Sequence, residues 1–538
     1  MGTIRAVKKV VIGFAAFALA ASAAGGAAHD AADAAAKPRA NVIVIETDDQ
    51  TVEQMRVMTK TLGLVGAQGV TFDNSFVGNS LCCPSRATFL TGQYSHNNGV
   101  FTNSLPYGGY QKLNHSNTLA VWLQKAGYTT TLVGKYLNGY GAAGRQLEIP
   151  PGWTEWFGGV NLAFFNWTMN QNGVLVRYGS SPVDYQSDVI TTKAVDVIRR
   201  RAPEANPLFM WVTYHAPHSG GPREPGDPAG MATVNVGPRY KDRFANESLP
   251  SAPSFNEADV SDKPSFIRNR RLLNQQRIAA LRQAYQQQLE SLLSVDDGVA
   301  AIVEALRASG ELDNTYVIFT DDNGFFHGEH RVPNGKVLVY EPSIRVPLLV
   351  RGPAVPKNRH LRQLVSNVDL APTIVAIAKA KAERVMDGKS LLPLFRNRST
   401  QWGRDLFVER GPGREHFTAI RTPRYKYVEY DTGEKELYDV ANDPDELNNL
   451  AGVAGHAAIQ AELAQRLAKL RGCSGASCRV GPRVELKRFA DCRVHVVGAD
   501  RRFVSSVRMS RKGRNVTARI SFTDGRIVLR AATLARGC

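Results

Sequence analysis

The sequence lacks a segment long enough to span a membrane. An apolar run, VVIGFAAFALA, lies near the amino terminus, but it is shorter than the roughly 20 residues that a spanning helix needs, and no later segment qualifies. Basic residues precede this run and the small residues Ala-Ser-Ala follow it, which is the pattern of a secretory signal peptide. We therefore expect residues 1–23 to be removed and the mature protein to be secreted or extracytoplasmic.

The sequence also lacks a nucleic-acid-binding motif and a tract of massed Lys and Arg. Its overall charge nevertheless favours anionic partners, because 66 Lys+Arg against 49 Asp+Glu give a net charge of +17 among 538 residues. Removal of the signal peptide takes away only three of these cations. The charge predicts an anionic substrate or polyanion and gives no reason to expect nucleic acid as a partner.

Cysteine is scarce, with six in the chain. In an exported protein we expect disulfides within the terminal module, in one of three pairings, among Cys473, Cys478, Cys492 and Cys538. The other two, Cys82 and Cys83, are neighbours and so are poorly placed to bridge each other, and CCPSR matches no zinc-binding spacing. In an oxidising compartment these two must be buried, paired or chemically altered.

Composition and periodicity divide the chain into regions. Residues 24–38 are Ala-rich and predict a linker, whereas residues 39–400 predict a large α/β domain. Residues 401–472 alternate apolar and polar positions, with a turn signal at DTG, and predict a smaller α+β subdomain with an antiparallel sheet. Residues 473–538 predict a separate β-rich module that contains cysteines.

Four apolar segments in the large domain end in polar residues. They are NVIVIETDD, TTTLVGKY, PLFMWVTYHAPH and NTYVIFTDDNG, and each predicts a buried strand. Helical patterns separate them, including a long one from Asn274 to Ala308. This alternation predicts a mostly parallel sheet, in which ligands bind outside the carboxyl ends of the strands. We therefore expect the polar residues to converge at one edge.

The carboxylates at this edge suggest a metal site. Asp48, Asp49, Asp322 and Asn323 offer three carboxylates and one amide oxygen, a hard donor set that suits Ca²⁺, or Mg²⁺, rather than zinc. The alternative is that they are surface turn residues. The metal interpretation is favoured because both Asp doublets follow buried strands, where an uncompensated charge is costly.

Basic residues complete a site for a tetrahedral oxyanion. The metal and the cations would neutralise ester oxygens, and a Lys or His could donate a proton to the leaving alcohol. The candidates are Arg86, Lys135, His215, His218 and Lys336. This set contains no obvious nucleophile.

The segment CCPSR, followed by Thr91-Gly92, supplies a candidate nucleophile through its resemblance to a known family. It resembles the C-x-P-S-R signature of the sulfatase family, and ETDDQ, GKYLN, APH, DDNG and NGKVLVYEPSIR match further family motifs between about residues 40 and 452. The resemblance implies an alkaline-phosphatase-like α/β/α sandwich. It also implies that a formylglycine-generating enzyme oxidises Cys82 to formylglycine (3-oxoalanine), with Cys83 at the variable position and Arg86 supporting the converted residue.

The resemblance further implies Ca²⁺ or Mg²⁺ bound by Asp48, Asp49, the converted Cys82, Asp322 and Asn323. One hydroxyl of the hydrated aldehyde would attack sulfur, and loss of the proton of the second would expel sulfate and restore the carbonyl. Leu137 replaces a histidine that many relatives carry two residues after the strand lysine, so His218 or Lys336 is expected to be the general acid.

CCPSR, GKYLN and PSFNEADVSDKP resemble most closely the N-acetylglucosamine-6-sulfatase and heparan endosulfatase branch. That likeness implies a sulfated amino sugar, or a polysaccharide that bears one, as substrate. One alternative is a phosphoester or phosphonate monoester hydrolase of the same superfamily, which relative rates on aryl sulfate and aryl phosphate would separate. The other alternative is a catalytically idle polyanion-binding protein, for which mutation of Cys82 would change no turnover.

Overall fold

The strand β1 (Asn41–Asp48) shows how the sequence builds the core. Its residues are fully buried, and they alternate between two hydrophobic clusters, with Val42 and Val44 in one and Ile43 and Ile45 in the other. Because successive side chains of a strand point to opposite faces, a continuous apolar run predicts a strand that is covered on both sides. The sheet that contains β1 is therefore the middle layer of a sandwich.

This computed structural model describes most of the chain after the predicted linker. The described residues are 39–161, 163–396, 402–412, 415–479, 485–488, 494–497, 504–522 and 527–534. The predicted signal peptide, residues 24–38, Cys492 and Cys538 lie outside them. The described helices include none that is long and apolar enough to cross a membrane.

Ten strands form the large sheet. After β1 the strands up to residue 366 are β2 (Val70–Phe72), β3 (Ser75–Phe76), β4 (Thr129–Gly134), β5 (Glu155–Asn161), β6 (Trp167–Gln171), β7 (Val174–Tyr178), β8 (Leu208–Pro217), β9 (Thr315–Asp321), β10 (Leu348–Arg351), β11 (Arg359–Leu361) and β12 (Val365–Ser366). The order in the sheet is β11-β2-β10-β9-β1-β8-β4-β5-β6-β7, and β3 pairs separately with β12.

The centre of the sheet is parallel and its flanks are mixed. β9, β1, β8, β4 and β5 run parallel to one another, whereas β10 is antiparallel to β9 and to β2. β6 and β7 add antiparallel pairs at the other side. The prediction of a parallel sheet is confirmed at the centre, where the polar strand ends meet.

Helices cover both faces of the sheet. Among the described residues, the α-helices of five or more residues are α1 (Cys82–Thr91), α2 (Leu119–Lys125), α3 (Gln186–Arg201), α4 (Gln275–Ala308), α5 (Leu370–Ala378), α6 (Leu392–Arg396) and α7 (Ala457–Arg471). α2 and α5 pack on the face of Val42 and Val44, whereas α3 and α4 pack on the face of Ile43 and Ile45. The predicted α/β/α sandwich is confirmed.

The carboxyl-terminal third holds smaller sheets. β13 (Leu406–Arg410), β14 (Phe417–Arg421), β15 (Lys426–Tyr430) and β16 (Lys435–Tyr438) form an antiparallel sheet, and α7 packs on it. β17 (Glu485–Arg488) pairs with β18 (Val494–Val497), and β19 (Val504–Lys512), β20 (Asn515–Phe522) and β21 (Ile527–Thr533) form a third sheet. Cys473 is bonded to Cys478. The domain boundaries at residues 400 and 472 stay predictions.

Candidate active site

Two strand ends bring four of the predicted metal ligands together. Asp48 is the last residue of β1, and Asp49 follows it with a left-handed φ of 72°. Asp322 and Asn323 follow β9, the parallel neighbour of β1. The Asn323 side-chain amide donates to Asp49 Oδ1 at 2.5 Å. These two strand ends converge, as predicted.

Asp321, in contrast, has a structural contact. Its Oδ2 accepts hydrogen bonds from the backbone N–H groups of Gln50 at 3.0 Å and Asn323 at 3.1 Å. These bonds tie the loop after β1 to the loop after β9. Asp321 therefore fixes the relative position of the two ligand-bearing segments.

Cys82 is the first residue of α1, and it lies against the acidic cluster. Its thiol sulfur is 3.3 Å from Asp48 Oδ1, and the Lys336 ammonium is 2.8 Å from the same sulfur. Both Cys82 and Cys83 are buried and carry free thiols. Burial, together with the nearby Asp48 charge, raises the pKa of the Cys82 thiol. The thiol is therefore a poor nucleophile in its unmodified form.

Arg86 lies one turn along α1 and is fully buried. Its Nε donates to Asp322 Oδ2 at 2.7 Å, and one terminal nitrogen donates to the Lys135 carbonyl oxygen at 3.1 Å. The other terminal nitrogen is 3.2 Å from Glu46 Oε1, and these two atoms form an ion pair without a hydrogen bond. Arg86 thus links α1 to the ends of β1, β4 and β9.

Lys135 enters the site directly after β4. Gly134 has a φ of 114°, and a Cβ there would meet the Thr213 carbonyl oxygen at 1.9 Å, so only glycine fits. The Lys135 ammonium forms an ion pair with Asp48, and its carbonyl oxygen accepts from the Thr213 hydroxyl at 2.6 Å. The close strand approach at Gly134 therefore fixes the position of the lysine.

The two predicted histidines also face the acids. His215 Nδ1 is 3.6 Å from Asp48 Oδ2, and His218 Nε2 is 3.7 Å from Asp49 Oδ2. Their rings stack with centroids 4.8 Å apart. His218 Nδ1 donates to the Ser219 carbonyl oxygen, so in the neutral ring the proton is on Nδ1 and Nε2 carries a lone pair. Burial lowers the pKa of each histidine to about 4.

The carboxyl groups are perturbed unequally. Burial alone would raise the pKa of Asp48, but Lys135 and other cations hold it well below its usual value. Burial raises the pKa of Asp49 despite the neighbouring Lys336. Burial and the Asp48 charge raise the pKa of Asp322 to about 6. Crowded, buried carboxyls of this kind are stabilised by additional positive charge.

The site residues fit a divalent cation. Donor atoms of Asp48, Asp49, Cys82 and Asp322 all lie within 4.8 Å of one another. The Asp322 Oδ1 and Asn323 Oδ1 atoms are buried and have no hydrogen-bond partner, which is unusual for buried polar atoms unless an ion or water binds them. Oxygen donors in this number suit Ca²⁺ or Mg²⁺.

Two residues that contact the site were not predicted from the sequence. Glu46 is buried two positions before Asp48, and burial raises its pKa to about 8. Its signal was a charge directly after the apolar run VIVI. Asn103 accepts a hydrogen bond from the Cys83 backbone N–H at 2.9 Å. No sequence pattern marks Asn103, because it comes from a loop that α1 contacts only in the folded chain.

Comparisons with known proteins agree with this geometry. The family profile described as Sulfatase matches residues 40–380, and that described as N-sulphoglucosamine sulphohydrolase, C-terminal, matches residues 328–472. The N-acetylglucosamine-6-sulfatase of Homo sapiens is 34% identical over 495 residues, which cover 83% of this chain and 87% of that protein.

Two solved structures share the fold. One is a complex with its substrate D-glucosamine-2-N,6-O-disulfate; it has a TM-score of 0.66 and 25% identity and covers 80% of this chain and 97% of its own. The other is the phosphonate monoester hydrolase of Agrobacterium radiobacter, with a TM-score of 0.61 and 19% identity, covering 86% of this chain and 100% of its own. The second likeness, at that identity, concerns the fold alone.

Proposed function

The chain belongs to the sulfatase family and is a sulfuric ester hydrolase, and we propose that its substrates are sulfate esters of amino sugars, free or within glycosaminoglycan-like polysaccharides. The names of a human relative and of a substrate complex support this choice, since both concern sulfated glucosamine. The net charge of +17 supports an anionic substrate. The signal-peptide pattern of residues 1–23 supports export.

The nucleophile we propose is Cys82 after oxidation to formylglycine. The observation that carries this proposal is the position of the thiol sulfur, 3.3 Å from Asp48 and 2.8 Å from Lys336. A thiol is only a weak donor and a weak acceptor toward these two charges, whereas the hydroxyl groups of a hydrated aldehyde could donate to the carboxylate and accept from the ammonium more strongly. Hydration supplies two geminal hydroxyls, one for attack on sulfur and one for the later expulsion of sulfate.

The metal ligands we propose are Asp48, Asp49, Asp322 and Asn323, together with an oxygen of the converted Cys82. When bound, Ca²⁺ or Mg²⁺ would withdraw charge from the sulfate oxygens. Arg86 donates a hydrogen bond to Asp322, so it would orient this ligand and support the converted residue. Lys135, which is paired with Asp48, would present its ammonium to a sulfate oxygen. The ring of His215 stacks on that of His218.

The general acid we propose is Lys336. Its ammonium carries protons and already contacts the nucleophile. His218 is less suited, because its Nδ1 proton is bound to the Ser219 carbonyl and its Nε2 faces Asp49. A proton from Lys336 would leave with the sugar alcohol. The contact with Asp49 would hold the ammonium in place while the ester binds.

Release of sulfate from N-acetylglucosamine-6-sulfate and from heparin fragments tests this function. The protein should be produced together with a formylglycine-generating enzyme, and Cys82→Ala should abolish turnover. Cys83→Ala is the matched control, because it removes a neighbouring buried thiol and should keep most activity. Faster cleavage of aryl phosphate or phosphonate than of aryl sulfate would favour the phosphorus-ester alternative. Polyanion binding without any turnover would favour the idle binding protein.

A further inference from the structure

The strand β20, which is central in the sheet of β19, β20 and β21, has one covered face and one open face. Ala518, Ile520, Phe522 and Val528 are buried, and Leu486 and Val496 of the β17–β18 hairpin pack against them. The alternate residues Asn515, Thr517 and Arg519 of β20 are exposed. The open face therefore consists of the side chains that alternate with the covered ones.

The open face carries cations and hydroxyl groups. In the strand register Arg508 of β19 lies directly opposite Arg519 of β20, and Ser510 lies opposite Thr517. All four side chains are exposed. Like charges in directly opposed positions of an antiparallel pair destabilise it. An anion lying across both guanidinium groups would remove this repulsion.

Neither arginine is neutralised by another residue in the part of the chain that the structure describes. Within the described residues, no ion pair or side-chain hydrogen bond joins Arg508 or Arg519 to another group. Between residues 504 and 538 the sequence contains eight Lys+Arg and a single acid, Asp524. Positive charge therefore predominates throughout residues 504–538.

An extended sulfated polysaccharide fits this surface better than a lipid bilayer does. Guanidinium groups bind oxyanions through paired N–H donors, and flanking hydroxyls can bond to sugar hydroxyls. Membrane-surface segments, in contrast, present aromatic anchors. The open-face positions of β19, β20 and β21 in the described residues hold no Trp, Tyr or Phe.

We propose that the open face of β19 and β20, centred on Arg508 and Arg519, binds a sulfated polysaccharide independently of the catalytic cluster. The choice of a sulfated ligand rests on the proposed function. Both matching family profiles end by residue 472, so this surface belongs to a part of the chain that they do not describe. Binding here would keep a polymeric substrate close to the enzyme between turnovers.

Heparin binding by the full chain tests this surface. A Cys82→Ala background excludes turnover, so the result does not depend on whether the chain proves to be a sulfatase. Arg508→Ser with Arg519→Ser should weaken heparin binding by about tenfold and should lower the slope of log affinity against log salt by roughly 1 to 2. The charge-matched control is Lys357→Ser with Lys381→Ser, two exposed cations outside this sheet, which should change neither quantity appreciably.

Arg508→Glu separates binding from folding. It places a carboxylate opposite Arg519, so the melting temperature should stay equal or rise, while heparin binding should fall. Unchanged heparin affinity in the double Ser variant would overturn the proposal. An equal loss in the control pair, or tighter binding to phosphatidylserine vesicles than to heparin, would overturn it as well.

Discussion

The ammonium of Lys336 lies 2.8 Å from the thiol sulfur of Cys82 and also forms an ion pair with Asp49. One side chain thus joins the proposed nucleophile to a proposed metal ligand. The two residues are 254 positions apart in the sequence. Their contact is the basis on which we propose Lys336 as the general acid.

Lys336→Ala should slow hydrolysis more strongly for substrates with a poorer leaving group. Loss of a general acid costs about 10² to 10⁴ in rate when the leaving alcohol needs a proton. We therefore expect a large fall in kcat on N-acetylglucosamine-6-sulfate and a much smaller fall on 4-nitrophenyl sulfate, measured side by side. His218→Ala is the comparison variant. If His218→Ala shows this dependence and Lys336→Ala does not, His218 is the acid.

Cation removal should destabilise the fold as well as abolish activity. A cation bound only by the folded state stabilises it by about 2.7 kcal/mol at a concentration of 100 Kd. After treatment with a chelator, added Ca²⁺ should raise the melting temperature, with Mg²⁺ as the second cation to compare. Asp322→Asn should reduce this increase. Asp73→Asn, which changes a partly exposed acid outside the site, should leave it intact.

His96 should make stability depend on pH. Its Nδ1 is 2.9 Å from Glu409 Oε1 and its Nε2 is 3.0 Å from the Cys473 carbonyl oxygen, so the doubly protonated ring satisfies both acceptors. Burial by itself lowers the pKa of His96, but the bond with Glu409 leaves it raised above about 6.5. The stabilisation should be complete below that value and lost as the pH rises through the raised pKa.

The measurement for His96 is the free energy of unfolding of the parent and of His96→Gln between pH 5 and pH 9. The difference should be on the order of 1 kcal/mol near pH 5 and should shrink at high pH. His360→Gln, at an exposed histidine paired with Asp73, should give a small difference at every pH. A difference for His96→Gln that grows with pH would contradict the assignment.

The central sheet and the acidic cluster could be predicted because their signals are local. Apolar runs such as NVIVIETD are followed by polar residues, and parallel strands must place those residues at one edge. The parallel order of β9, β1, β8 and β4 confirms this reasoning. The family motif then supplied the nucleophile that composition and spacing could not.

The contacts that lack a local signal could not be predicted. Asn103 binds the Cys83 N–H from a loop. The charge of Glu46 stands out after the apolar run VIVI, but nothing in the sequence shows that it lies beside Arg86. The antiparallel strands at the sheet flanks depend on long-range pairing that short apolar segments do not specify. The opposition of Arg508 and Arg519 likewise appears only when the register of β19 and β20 is known.

The most direct test of the account is the mass of the peptide that contains Cys82, from protein produced by its own host. Conversion to formylglycine exchanges SH₂ for O, so we predict a mass about 18 Da below that of the thiol form, or the same mass plus one water for the hydrate. Cys83 in the same peptide should remain a thiol. An unmodified or disulfide-bonded Cys82 in active protein would contradict the proposed nucleophile.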